Sequence, residues 1–132
     1  IWDKGHGAPA MAEGVLNSCW EFVVAMSAND SRRKFGSAGF HGTVNNIVRI
    51  GKSGGVNGVH HKAAFRVELP AWFLTSFGCM SVYDPFLGSG TTLIAAEQLG
   101  RTSFCMELSP QYVDVCVKRW ENLTGDKAEL SD

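Results

Sequence analysis

Two acidic side chains and a glycine turn carry the chemistry-bearing pattern of this 132-residue chain. In "VYDPFLGSGTT", residues 82–92, an apolar run ends at Asp84, and Gly88-Ser89-Gly90 then leads into Thr91 and Thr92. Farther along, "TSFCMEL" is a second apolar run that ends in an acid, Glu107. Glycine lets a backbone come close to a ligand, and a helix start favours negative charge. A carboxylate at a strand end accepts hydrogen bonds from an ammonium or from ribose hydroxyls. The pattern predicts a small-molecule site on a turn, framed by two carboxylates.

Three ligands compete for such a turn. A phosphate-binding P-loop needs a lysine after its glycines, and this turn has hydroxyls there but no lysine. The dinucleotide fingerprint needs a third glycine for close helix–strand packing, and that position is Leu93. S-adenosylmethionine carries no phosphate; an amino-acid end and an adenosine, with its ribose, flank a methylsulfonium. Asp84 would meet its ammonium, Gly88 and Gly90 would admit its backbone-hugging end, and Glu107 would take both ribose hydroxyls. The helix start near Thr91 would favour its carboxylate. The plain alternative is an ordinary strand–turn–helix with a capping acid.

These residues need a β-α-β-α unit to hold them. A strand over 80–83 leads into the turn, and a helix runs over 91–99 until Gly100 stops it. A second strand ends at Glu107, after which Ser109 is a good N-cap and Pro110 suits the first helical position. The last helix spans 111–123, with Tyr112, Val113, Cys116, Val117 and Trp120 on its apolar face and Gly125 at its end. Strands joined by a helix imply a parallel pair with a right-handed crossover. Upstream, "VELPAWFLTSF" has Leu69, Trp72, Phe73 and Phe77 at helical spacing, a stripe that packs inward. "IWDKG" and "CWEFVVAMS" read as strands able to pair antiparallel.

Residues 28–62 differ from all of this. They hold seven glycines and six of the twelve basic side chains, namely Arg32, Arg33, Lys34, Arg49, Lys52 and Lys62, against a single acid, Asp30. One short apolar stretch, "NNIVRI", is a strand candidate. The segment reads either as a solvated loop or as one that contacts phosphates. Long loops in compact domains are usually functional or disordered.

The remaining features exclude more than they suggest. Net charge is −1, so global charge names no partner. No apolar run approaches the roughly 20 residues needed to span a bilayer, which points to a cytoplasmic chain with no membrane partner. The four cysteines, Cys19, Cys79, Cys105 and Cys116, lie apart in apolar runs and read as reduced, buried thiols. His6, His41, His60 and His61 show no metal-ligand spacing, so no metal is expected. Cys105 reads as strand core, not as a nucleophile. Trp20 and Trp120 read as core residues sooner than base-stacking ones.

The motifs together resemble the DNA amino-methyltransferases, in the group whose cofactor motif lies toward the C-terminus. "DPFLGSGTT" resembles that motif. "HHKAAFRVEL" resembles the motif before it, at His61, Ala63, Phe65 and Leu69, with Arg66 where proline is usual. "LGRTSFCMELSPQYVDVCVKRW" resembles the segment after it, with Glu107 as the ribose acid. "IWDKG" and "CWEFVVAMS" resemble an upstream strand pair, and the closing "TGDKA" resembles the ending of phage-type members. The resemblance implies an α/β chain, part of a Rossmann-like class I methyltransferase fold. It would have an N-terminal antiparallel strand pair (1–27), a basic glycine-rich target-recognition loop (28–62) and a cofactor-binding β-α-β-α unit (63–132). S-adenosylmethionine would contact Phe65, Asp84, Pro85, Phe86, Gly88, Ser89, Gly90, Thr91, Thr92 and Glu107. Double-stranded DNA would contact Arg32, Arg33, Lys34, Arg49 and Lys52. The chemistry implied is methyl transfer to the exocyclic amino group of a flipped adenine or cytosine.

One departure is large. The family's catalytic motif is an Asp, Asn or Ser followed by Pro-Pro and an aromatic. Here the prolines, Pro9, Pro70, Pro85 and Pro110, each stand alone. In this group that motif precedes the cofactor motif, which would put it before Ile1. The expectation is a C-terminal portion with no catalytic residues of its own, inactive alone. The sheet strands it lacks would come from a partner chain or a second copy.

Overall fold

The computed structural model describes residues 1–5, 18–26, 44–51 and 65–131. Within them the order is β1 (Trp2–Asp3), β2 (Trp20–Glu21), β3 (Val48–Arg49), α1 (Glu68–Ser76), β4 (Ser81–Asp84), α2 (Thr91–Gln98), β5 (Thr102–Cys105) and α3 (Pro110–Thr124). Arg32, Arg33, Lys34, Lys52, His61 and Ala63 lie outside the described residues.

β4 and β5 pair in parallel, from Ser81 opposite Thr102 to Asp84 opposite Cys105, with α2 as the crossover. Side chains alternate across a strand, and the two faces of this pair differ. Val82 packs against a cluster of Leu74, Ala95 and Ala96. On the opposite face Tyr83 and Phe104 are 61% and 60% exposed. The expected helix limits hold: Gly100 takes φ 62 just past α2, and Gly125 caps α3 at φ 83.

β1 lies between β2 and β3. It is antiparallel to β2, with Trp2 opposite Glu21, and parallel to β3, with Trp2 opposite Val48. The expected antiparallel pair is present, and "NNIVRI" adds a third strand to it. Among the described residues of "CWEFVVAMS" only Trp20–Glu21 is strand, and Phe22, Val24 and Met26 stand exposed. Strand propensity is realised only against a hydrogen-bonded neighbour, and beyond Glu21 no pairing forms among the described residues. Trp20 is likewise exposed, edge-on to Phe22 at 4.8 Å, and is not a core residue.

α1 joins the two parts. Its predicted stripe is real: Leu69 packs with Trp2 and Val48, with Trp72 and Phe73 against them, and Phe77 stacks on Phe73 at 6.1 Å. Leu74, off that stripe, is buried against Ala95 and Ala96 of α2. A single periodic stripe describes a helix covered on one side, and α1 is covered on two.

α3 departs from its expected pattern. Of the proposed apolar face only Cys116 is buried, while Val113 and Val117 are exposed. Ser109 occupies the N-cap, but its hydroxyl makes no capping bond. Glu107 makes a different bond, accepting the N–H of the cap residue Ser109 itself at 2.8 Å. All four cysteines are free thiols, and only Cys116 is buried. Among the described residues no helix is long and apolar enough to cross a membrane.

Candidate cofactor-binding site

The site lies beyond the C-terminal ends of β4 and β5. Pro85 cannot donate to a ladder, so β4 stops at Asp84. Asp84 Oδ1 accepts the Phe86 N–H at 3.0 Å, a short side-chain turn that redirects the chain. The Met106 N–H donates to Asp84 O (2.9 Å) and the Leu87 N–H to Met106 O (3.0 Å), so backbone pairing continues past β5. The Gly90 N–H then closes the turn onto Leu87 O at 3.1 Å.

Both turn glycines have positive φ, 57° at Gly88 and 85° at Gly90, a region that disfavours side chains. Their surroundings differ. Among the described residues, a Cβ on Gly88 would meet only Phe86 O, at 3.9 Å. A Cβ on Gly90 would lie 3.0 Å from Cys116 Sγ and 3.3 Å from its Cβ. Gly88 therefore opens toward space a ligand can use, whereas Gly90 lets α3 approach the turn.

Glu107 binds both sides of this arrangement. Its Oε2 accepts the Gly88 N–H at 2.7 Å and its Oε1 accepts the Ser109 N–H. The acid thus ties the turn to the start of α3. Asp84 and Glu107 stand at neighbouring strand ends, as the sequence implied. Phe86 and Leu108, beside these acids in the chain, are 87% and 97% exposed, and Leu108 went unnoticed in the sequence. Pro85 is exposed too, while Ser89, Thr91 and Thr92 are buried and start α2 from inside.

α3 contributes two contacts that the sequence did not reveal. Cys116 Sγ donates to Gly88 O at 3.2 Å, and Arg119 Nη1 donates to Ser89 O. Burial pushes the Cys116 thiol up to about 11 and the Cys105 thiol upward as well. Thiolate is the reactive form, so neither sulfur is poised as a nucleophile. Burial also pulls the Arg119 guanidinium down from its ordinary value. No group of three or more potential metal ligands occurs among the described residues.

Two of the expected contact residues lie with the N-terminal strands. Phe65 packs edge-on against Trp2 at 6.3 Å, in the cluster with Val48 and Leu69. Arg49 lies on β3, exposed, with its guanidinium 3.5 Å from Asp3 Oδ2. It borders an open groove of about 340 Å³ that Asn45 and Trp72 also line. Arg66, at the position where the family usually has proline, forks onto Glu68 at the start of α1.

A parallel β-α-β-α unit, with a glycine turn after its first strand and an acid at or just past each strand end, has the topology of half a Rossmann-like fold. A DNA methylase family model, of the N6/N4 type, matches residues 51–118, and the chain belongs to that family. It is similar to the type II methyltransferase M.Cfr9I of Citrobacter freundii, 28% identical over 131 residues that take in 90% of this chain and 42% of that enzyme. Over 40 residues it is 48% identical to M.ScaI of Streptomyces caespitosus, covering 30% of this chain and 13% of that one. Over 59 residues it is 41% identical to M.MthZI of Methanothermobacter thermautotrophicus, covering 43% and 17%. A solved DNA modification methylase of Thermus thermophilus, complexed with S-adenosyl-L-methionine, is 37% identical. It covers 52% of this chain and 30% of that one at a TM-score of 0.46. The chain spans less than half the length of each of these relatives.

Proposed function

We propose that this chain supplies the S-adenosylmethionine pocket of a DNA amino-methyltransferase, for transfer of a methyl group to the exocyclic amino group of adenine or cytosine. The observation that carries the reading is the pair of acids, Asp84 and Glu107, placed at adjacent strand ends on either side of the glycine turn. The open side of Gly88 is a cradle that a Cβ would fill, which suits a ligand pressed against the backbone. In this reading Asp84 meets the ammonium and Glu107 the ribose hydroxyls. A carboxylate has about four acceptor sites, so a ribose would add to the two backbone bonds Glu107 already accepts. Pro85, Phe86 and Leu108 would give the adenine an apolar rim, with Phe65 packing farther back. Ser89, Gly90, Thr91 and Thr92 would shape the turn. When bound, the cofactor supplies the methyl group; these residues hold and orient it.

The target would be double-stranded DNA, met by Arg32, Arg33, Lys34, Arg49 and Lys52, with the reaction in the cytoplasm. The sequence contains no Pro-Pro pair, so the family's catalytic motif would have to come from other polypeptide, and this chain alone would not methylate DNA. Calorimetry with S-adenosylhomocysteine tests the pocket. The chain should bind it, and Glu107→Gln should weaken binding about tenfold. Equal binding by both would remove Glu107 from the site. A melting curve on each guards against a merely unfolded variant, because Glu107 also holds the turn.

A second reading makes the chain a non-catalytic assembly piece. It is favoured by the uncovered face of β4 and β5, where Tyr83, Phe104 and Met106 stand exposed. The occupant would be the polypeptide that carries the catalytic motif. Co-expression with such a segment should give a complex in which Phe104→Glu disrupts association. Unchanged association would count against that face.

A further inference from the structure

We propose that Cys116 and Arg119 of α3 are positioning residues for the cofactor turn, fixing its peptide planes from behind; this rests on the reading of that turn as the S-adenosylmethionine site. Three observations meet here. Cys116 Sγ donates to Gly88 O at 3.2 Å. Arg119 Nη1 donates to Ser89 O. The face of Gly90 lies so close to Cys116 that a Cβ there would stand 3.0 Å from the sulfur. Three consecutive residues of the turn are thus held by two side chains one helical turn apart, which share a face at i and i+3.

The consequence follows from peptide geometry. In a planar trans peptide the C=O and the following N–H point in opposite directions. Drawing the Gly88 and Ser89 carbonyls toward α3 turns the Ser89 and Gly90 N–H groups away from it. The Gly90 N–H duly reaches Leu87 O, closing the turn. Glu107 holds the Gly88 N–H, so the turn is gripped from both sides. A donor with full charge makes a stronger bond than a neutral one, and Arg119 is half-buried where such a bond is less screened. Cys116, a weak donor, acts chiefly by filling the space that Gly90 leaves.

The 132-residue chain and its variants Arg119→Ala, Arg119→Lys and Cys116→Ala test this by two readouts. The first is amide hydrogen exchange over residues 87–91, compared with α2 and β5. The second is S-adenosylhomocysteine binding by calorimetry. Arg119→Ala should speed exchange in the turn while α2 and β5 keep their protection, and should weaken binding about tenfold. Arg119→Lys, which keeps a cation donor, should recover most of both. Cys116→Ala should weaken binding about threefold. Wild-type exchange and binding in Arg119→Ala would overturn the proposal. So would a uniform loss of protection across α2 and β5 that lysine fails to rescue, since that marks a general structural role. If the wild-type chain binds no S-adenosylhomocysteine but Arg119→Ala still loosens the turn alone, the positioning role stands and the cofactor reading falls.

Discussion

β4 and β5 pair over four residues each and have α2 packed on one face. β1, β2 and β3 pair over two residues each, and β2 leaves its outer residues exposed. The first group comes from one continuous stretch, with the crossover helix closing the loop between its strands. The second gathers segments far apart in sequence, joined by Lys4 N–H to Cys19 O, the Lys4–Glu21 ion pair and the Ile1 amine on Asn46 O. Local connections cost less chain entropy than distant ones. The glycine turn sits in the continuous part, held by Glu107 on one side and by Cys116 and Arg119 on the other. The N-terminal strands hold mainly through Trp2 and Val48 against α1.

Leu74 is where that contrast is easiest to break, because it carries α1 onto α2. Leu74→Ala should cost about 2–5 kcal/mol, the usual range for a buried leucine, in denaturant unfolding followed by circular dichroism. A loss under about 1 kcal/mol would mean that α1 belongs with the N-terminal strands alone. Gly90→Ala comes next: a left-handed residue costs about 1–2 kcal/mol, and overpacking against Cys116 adds about 1 kcal/mol or more. Gly88→Ala should be mildest, at about 1 kcal/mol, since its Cβ would enter open space. The same denaturation series orders the three, and a larger loss at Gly88 than at Gly90 would reverse the assigned roles of the two glycines.

Much of the β-α-β-α unit was legible beforehand. β4 ends in an acid, and β5 stops at Cys105, two residues before Glu107 where the sequence placed its end. Both helices are followed by glycines, and the turn carries its own conformational demands, all of them local. The α1 stripe was legible for the same reason, through Leu69, Trp72 and Phe73. Leu74 was not, because periodicity reports one covered face and cannot say that a second helix covers another. Trp20 was misjudged because an aromatic residue in a strand-like run resembles core until its edge is known. Ser109 is the N-cap that its residue type and Pro110 suggest, but its hydroxyl makes no capping bond, and Glu107 takes the cap residue's own N–H. Arg119 and Cys116 escaped because they act on backbone carbonyls 30 and 28 residues away, and a carbonyl leaves no mark on the identity of its residue.

The sequence by itself determined the family, the glycine turn and the two acids that frame it, since motif, φ preference and strand-end chemistry are written in residue types at short spacing. Only the tertiary structure decided that Glu107 ties the turn to α3, that Gly90 lies against Cys116 while Gly88 does not, and that α3 grips the turn from behind. Those outcomes depend on which side chains arrive at which backbone atoms, and close packing between elements distant in the chain decides that.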